Sequence, residues 1–134
     1  MAVAYMLDTN IASFVIKDSI PGLRAHVRGF RVNQIAVSVV TEAELLYGLA
    51  RKPEATRLKP RVLEFLGAVK ILPWTSDAAE HYALTRASLE RIGRSLDDLD
   101  MMIAAHALAE DAVLVTNDAA FQRIEHLKTE DWTV

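Results

Sequence analysis

Residues 97–118 read DDLDMMIAAHALAEDAVLVTND, and their reading decides the fold. Three acids lead into an apolar run of helical length, from about Asp98 to Ala109. A short apolar strand follows from Ala112 to Val115, and Asp118 comes just after it. A strand that is apolar throughout, rather than alternating, is buried on both faces, as in parallel sheets covered by helices. An acid bordering such an element stands at its rim, where it can meet a ligand. Asp97 is placed to cap the helix, and Asp98 adds favourable charge to its first turn.

The same alternation extends outward to both termini. Val3–Leu7 is a buried strand ending at Asp8-Thr9-Asn10, and Thr9 or Asn10 can cap a helix carrying Ile11, Phe14 and Val15. Ser19-Ile20-Pro21 opens a helix with Leu23, Val27 and Phe30 on one face, which Gly29 ends. Ile35–Val40 is a β-branched second strand, with Thr41 placed to cap TEAELLYGLAR. After Pro53, a helix carries Leu58, Val62, Phe65 and Leu66, with Pro60 as its true start or a kink. Val69–Leu72 is a third strand, and Ser76 or Asp77 is placed to cap a long helix to Ile92, ended by Gly93. A short helix follows Asn117-Asp118, and Trp132–Val134 is expected as an edge strand. The fold class is therefore α/β, with a parallel sheet and helices on both faces.

A chain of 134 residues fits one domain over 1–134. It has no cysteine, which excludes disulfides, thiolate metal sites and a cysteine nucleophile. The start, MAVAYMLD, has no basic leader, and no apolar run approaches the ~18 residues of a membrane span, so a soluble, cytoplasmic protein is expected. The net charge of −3 hides an asymmetry. Residues 24–61 hold eight bases against three acids, a balance of +5, and residues 97–134 hold nine acids against two bases, a balance of −7. A basic wall beside an acidic pocket would steer a polyanion towards a cation site.

Ligands of open parallel sheets bind at the carboxyl ends of the strands. Asp8 and Asp118 each follow a strand, Glu44 lies on the helix after the second strand, and Asp100 sits in a first helical turn. If the first and fourth strands are neighbours, the four converge. Carboxylates about 5 Å apart at an effective dielectric of about 20 repel by roughly 3 kcal/mol per pair, so some are protonated or a cation is held. Oxygen-only ligands suit Mg²⁺ or Mn²⁺, and no histidine pair has zinc-ligand spacing. Such a cation serves phosphodiester cleavage. Periodicity does not choose between Glu42 and Glu44, although Gly48 leaves room beside Glu44. Thr116 and Asn117 can hydrogen-bond a site carboxylate, His106 reads as a satisfied or rim histidine, and Tyr47 as packing.

The order YMLDTN, SVVTEAELLYGL, LDMMIAAHAL, LVTND and a final EDW resembles the PIN-domain ribonucleases, and within them the VapC-type toxins of bacterial toxin–antitoxin pairs. The resemblance runs from Tyr5 to Trp132. It matches the family's acids to Asp8, Glu44 (six residues after Ser38), Asp100 and, at a more variable position, Asp118. It implies a sheet in order 3-2-1-4-5 and Mg²⁺- or Mn²⁺-dependent cleavage of RNA, often tRNA. It also implies a homodimer and a cognate VapB-type antitoxin whose C-terminal segment fills the groove. Two rival readings remain: a phosphotransfer domain with Asp8 as phosphoacceptor, and a non-catalytic interaction module whose acids are helix caps.

Overall fold

The structure, a computed structural model, describes residues 3–134. Its centre is β1 (Tyr5–Leu7), flanked by β2 (Ile35–Ser38) and β4 (Val113–Val115), with β3 (Lys70–Leu72) and β5 (Thr129–Glu130) at the edges. All pairings are parallel and the order is β3-β2-β1-β4-β5. The intervening helices are α1 (Thr9–Lys17), α2 (Leu23–Arg28), α3 (Val39–Arg51), α4 (Leu58–Ala68), α5 (Ser76–Arg91) and α6 (Asp98–Ala109). The expected class and strand order both hold. Among the described residues, no helix is long and apolar enough to cross a membrane.

Side chains alternate along a strand, so the register assigns each row to one face. Met6, Ala36 and Leu114 align and face α5 and α6, where they meet Leu89, Ile103, Ala104 and Phe121. Leu7, Val37 and Val115 align on the other face, with Ile11, Val15, Leu23 and Val27 of α1 and α2. Both faces being covered explains why these strands read as unbroken apolar runs. Helix α6 is buried around most of its circumference, at Met101, Ile103, Ala104, Ala105, His106 and Ala107, and its alanines let its backbone approach its neighbours closely.

Several boundaries differ from expectation, for local reasons. Ser38 ends β2 and caps α3, its Oγ accepting the Val40 N–H at 3.1 Å, so the strand stops two residues early and Thr41 is not the cap. Pro60 lies in the first turn of α4, where no amide hydrogen is required, and α4 starts at Leu58. Pro21 precedes α2, whose cap is Gly22 at φ +82°, a conformation that suits glycine. The fifth strand is Thr129–Glu130, not Trp132–Val134.

Trp132 instead turns back over the sheet edge. Its ring stacks on Phe30 at 5.1 Å with an interplanar angle of 2°, and it meets Tyr5 at 5.1 Å and His26 at 4.6 Å. This cluster pins the C-terminal segment to β1 and to the end of α2. Trp132→Ala is expected to lower the unfolding free energy by about 2 kcal/mol in urea titrations. A loss below about 0.5 kcal/mol, the range of ordinary surface changes, would show that the cluster contributes no stability.

Candidate active site

Asp8 directly follows β1, and its N–H donates to the Val115 carbonyl at 3.0 Å, extending the β1–β4 pairing. The sheet thus delivers Asp8 and the turn after β4 to the same edge. There Asp8, only 3% exposed, caps α1 by accepting the Ile11 N–H on Oδ1 at 2.8 Å. Neither Thr9 nor Asn10 is the cap.

Thr9 is thereby left for another role. Its hydroxyl donates to Glu44 Oε1 at 2.7 Å and lies 3.0 Å from the Thr41 hydroxyl. One hydroxyl carries one proton, so Thr41 must donate to Thr9 when Thr9 donates to Glu44. Thr41 is fully buried, and it lies three residues before Glu44 on α3. The two threonines therefore clamp α1 to α3 and orient the carboxylate. Periodicity could not find this clamp, because its partners are 32 and 35 residues apart.

A second link joins α3 to α6. His106 Nδ1 lies 2.7 Å from Ser38 Oγ. His106 is 1% exposed, and burial lowers its pKa against the pull of Glu110 and the Pro73 backbone. With the ring neutral and Ser38 already accepting from Val40, the Ser38 O–H is free to donate to Nδ1. Nε2 is buried and makes no hydrogen bond of ordinary geometry; the nearby Pro73 backbone is the weakest of the three influences on the ring. His106 is therefore a core histidine tying the helix of Asp100 to the start of the helix of Glu44.

Asp100 is the third residue of α6, whose cap is Asp97, with Oδ1 accepting the Leu99 N–H at 3.0 Å. The Asp100 carboxyl is pushed up to about 6, first by burial and then by the charges of Asp97, Glu44, Asp8 and Asp118. Burial also raises Asp8, against the Thr116 hydroxyl and the Ile11 N–H, while Asp118 and Glu44 add to the rise. Asp118 accepts the Ala120 N–H on Oδ1 at 2.9 Å, and its own N–H donates to Thr116 Oγ1 at 3.1 Å. Asp8, Glu44, Asp100 and Asp118 thus lie within one another's field. Glu42 is among the charges acting on neither Asp8 nor Asp100. Thr116 serves a carboxylate as expected, whereas Asn117 is exposed.

Among the described residues, no three acidic or histidine side chains close into a ready metal cage. The acids share a field without meeting at one point. Glu44 and Asp118 each commit one oxygen to a hydrogen bond within the fold and keep the other, while Asp8 is held by the Ile11 N–H and the Thr116 hydroxyl. That donor set fits a hard divalent cation, which takes one or two direct carboxylates and keeps several waters. A cavity of about 650 Å³ lies elsewhere. Its lining includes Val27, Phe30, Ile35, Phe65 and Val69, with Arg24, Arg28, Arg31 and Arg61 also bordering it. It sits where β2 and β3 begin, whereas the acids sit where the strands end.

A PIN domain family model matches residues 5–127. A tRNA(fMet)-specific endonuclease VapC of Shigella flexneri is 38% identical to this chain, over 96% of it and 98% of that protein. Ribonuclease VapC2 of Rickettsia felis is 33% identical, over 96% and 97%. Among solved structures, the DNA-bound VapBC of Salmonella typhimurium has a chain that superposes with a TM-score of 0.90 at 33% identity, covering 97% of this chain and 98% of that one. A chain of VapBC2 from Rickettsia felis, bound to a promoter DNA fragment, gives 0.89 at 32% identity, over 97% and 99%.

The raised carboxyl of Asp100 has a thermodynamic consequence. Between its unfolded value of 3.8 and its folded value of about 6, the native state binds a proton that the unfolded state has released. Its contribution to stability is complete below about pH 4 and is lost as pH rises to about 6. In EDTA, the melting temperature of Asp100→Asn should therefore exceed that of the parent at pH 7 by more than at pH 4. An Asp100→Asn variant less stable than the parent at pH 7 would show instead that the carboxylate supports the helix start.

Proposed function

The chain belongs to the PIN-domain family, and we propose that it is a VapC-type endoribonuclease toxin that cuts RNA with a divalent cation held between Asp8, Glu44, Asp100 and Asp118. The observation that carries the reading is the gathering of these four acids at the carboxyl edge of the sheet, where burial first and their charges second push Asp100 up to about 6. Mg²⁺ is the proposed ion, with Mn²⁺ as the alternative. The proposed substrate is tRNA, in line with the activity named for the Shigella flexneri relative. The partner is a cognate VapB-type antitoxin, as in the VapBC complexes it superposes on. The apolar cavity with its bordering arginines suits such a protein segment. A homodimer acting in the cytoplasm is the proposed working form.

Asp8 and Asp100 would hold the ion, with Asp118 completing the charge. When bound, the cation would polarise the scissile phosphoryl group and acidify an attacking water. Glu44 has Oε1 fixed by Thr9, so Oε2 is the oxygen that takes up the water's proton. The Thr41–Thr9 clamp keeps that oxygen from rotating away. The Thr116 hydroxyl favours the ionised form of Asp8 and offsets part of the rise caused by burial.

The rival readings explain less. As a phosphoacceptor, Asp8 would attack with a carboxylate that is 3% exposed and already bound to Ile11. The interaction-module reading explains Asp8, Asp97 and Asp118, which do cap helical turns. It does not explain Asp100, which sits beside them without capping anything.

Purified protein should cleave structured RNA with Mg²⁺ and not in EDTA. Asp8→Asn and Asp100→Asn should each lose at least ~100-fold in kcat, and phosphate incorporation at Asp8 without cleavage would overturn the assignment. Glu44→Gln should lose a comparable factor while Glu42→Gln stays near the parent rate. Equal losses in the two glutamate variants would remove Glu44 from the proton-transfer role.

A further inference from the structure

Helix α3 begins in the core and ends in solvent along one and the same face. At 100° per residue, Val40, Thr41, Glu44, Tyr47, Gly48 and Arg51 share that face. Val40 and Thr41 are buried, Glu44 is half-buried, and Tyr47 is 64% exposed. The face therefore runs outward from the acids as a ramp. Tyr47 stands about 4.5 Å and Arg51 about 10 Å along the axis from Glu44.

Three features of the outer ramp are not explained by the fold. An aromatic ring is left in water on a face that is core about two turns earlier. Arg51 lies over that ring, 5.6 Å from its centroid, and among the described residues it pairs with no carboxylate. Gly48 sits mid-helix, where glycine is unfavourable, yet a Cβ there would meet nothing within 4 Å. Packing does not require this glycine, and a turn does not require it either. Its effect is to leave the helix backbone bare beside Glu44.

We propose that Tyr47, Gly48 and Arg51 form a binding strip for single-stranded RNA. An unpaired base next to the scissile phosphate stacks on Tyr47, the sugar-phosphate chain lies against the bare backbone at Gly48, and Arg51 neutralises a phosphate. Base stacking on aromatic rings with flanking cations is how unpaired strands are held without sequence-specific contacts. Lys52, Arg57 and Lys59, all exposed beyond the strip, continue the positive charge. The strip is a substrate-positioning surface and contributes no group to the chemistry. The proposal rests on the nuclease reading above.

The test is binding of a short fluorescent oligoribonucleotide to protein carrying Asp8→Asn, with KM and kcat measured in the otherwise unchanged chain. Tyr47→Ala should raise both Kd and KM roughly tenfold with kcat preserved, and Tyr47→Phe should restore them. Arg51→Gln should reduce the salt dependence of binding by about one ion. Gly48→Ala should raise the melting temperature while weakening RNA binding, an opposition that a structural role does not produce. Unchanged KM in all three positions, in protein that cleaves RNA, would overturn the strip alone. So would a shift in sedimentation on Tyr47→Ala with RNA affinity intact, which would make the face a protein contact. If the parent protein neither cleaves nor binds RNA, the nuclease reading falls and the strip falls with it.

Discussion

Everything near the carboxyl edge of the sheet answers to one constraint, the burial of the Asp8 carboxylate beside three other acids. Removing a charge from water costs several kcal/mol even after relaxation, whereas a capping hydrogen bond contributes about 1 kcal/mol. The Ile11 N–H and the Thr116 hydroxyl offset part of that cost. The rest is met by a proton on the cluster or by a cation. The four acids are therefore a stored electrostatic stress, and the surrounding structure is built to withstand it. Helix α6 is packed on most sides, α3 is held by the Ser38–His106 bond, and α1 is clamped to α3 through Thr9 and Thr41. Glu44 cannot relieve its repulsion by swinging away without breaking its bond to Thr9.

The architecture was legible in the sequence because its causes are local. Strands buried on both faces read as unbroken apolar runs, and α6 matches its expected limits because Asp97 and the alanine-rich run mark them. The acids were legible for a different reason: each stands at a boundary between a strand and a helix, or in a first turn, where a carboxylate is either a cap or a ligand. Asp8 and Asp118 both cap helical turns while bordering the other acids, which is why arguments from capping alone could neither promote nor dismiss them.

What was not legible depends on side chains meeting across long stretches of chain. Thr9 and Thr41 both look like helix caps in isolation, and only the adjacency of β1 and β2 turns them into a clamp. His106 reads as either a satisfied or a rim histidine until Ser38, 68 residues away, is seen beside it and decides for the first. Trp132 has strand character by composition, but the aromatic cluster with Phe30 and Tyr5 claims it and leaves Thr129–Glu130 to close the sheet. Tyr47 reads as packing but is exposed, because the point at which α3 leaves the core is a property of the neighbours, not of the helix.

The order β3-β2-β1-β4-β5 also bears on how the chain is made. The strand β1 is made before β2 and β3, yet one of its two neighbours is β4, more than a hundred residues later. An N-terminal portion can pair β1, β2 and β3 and bring Asp8 near Glu44, but it lacks both Asp100 and Asp118. Pairing over such separations is slow, because loop closure comes before the contacts that reward it. A growing chain is therefore without the buried neighbourhood of Asp8 until the segment that carries β4 and Asp118 has been synthesised.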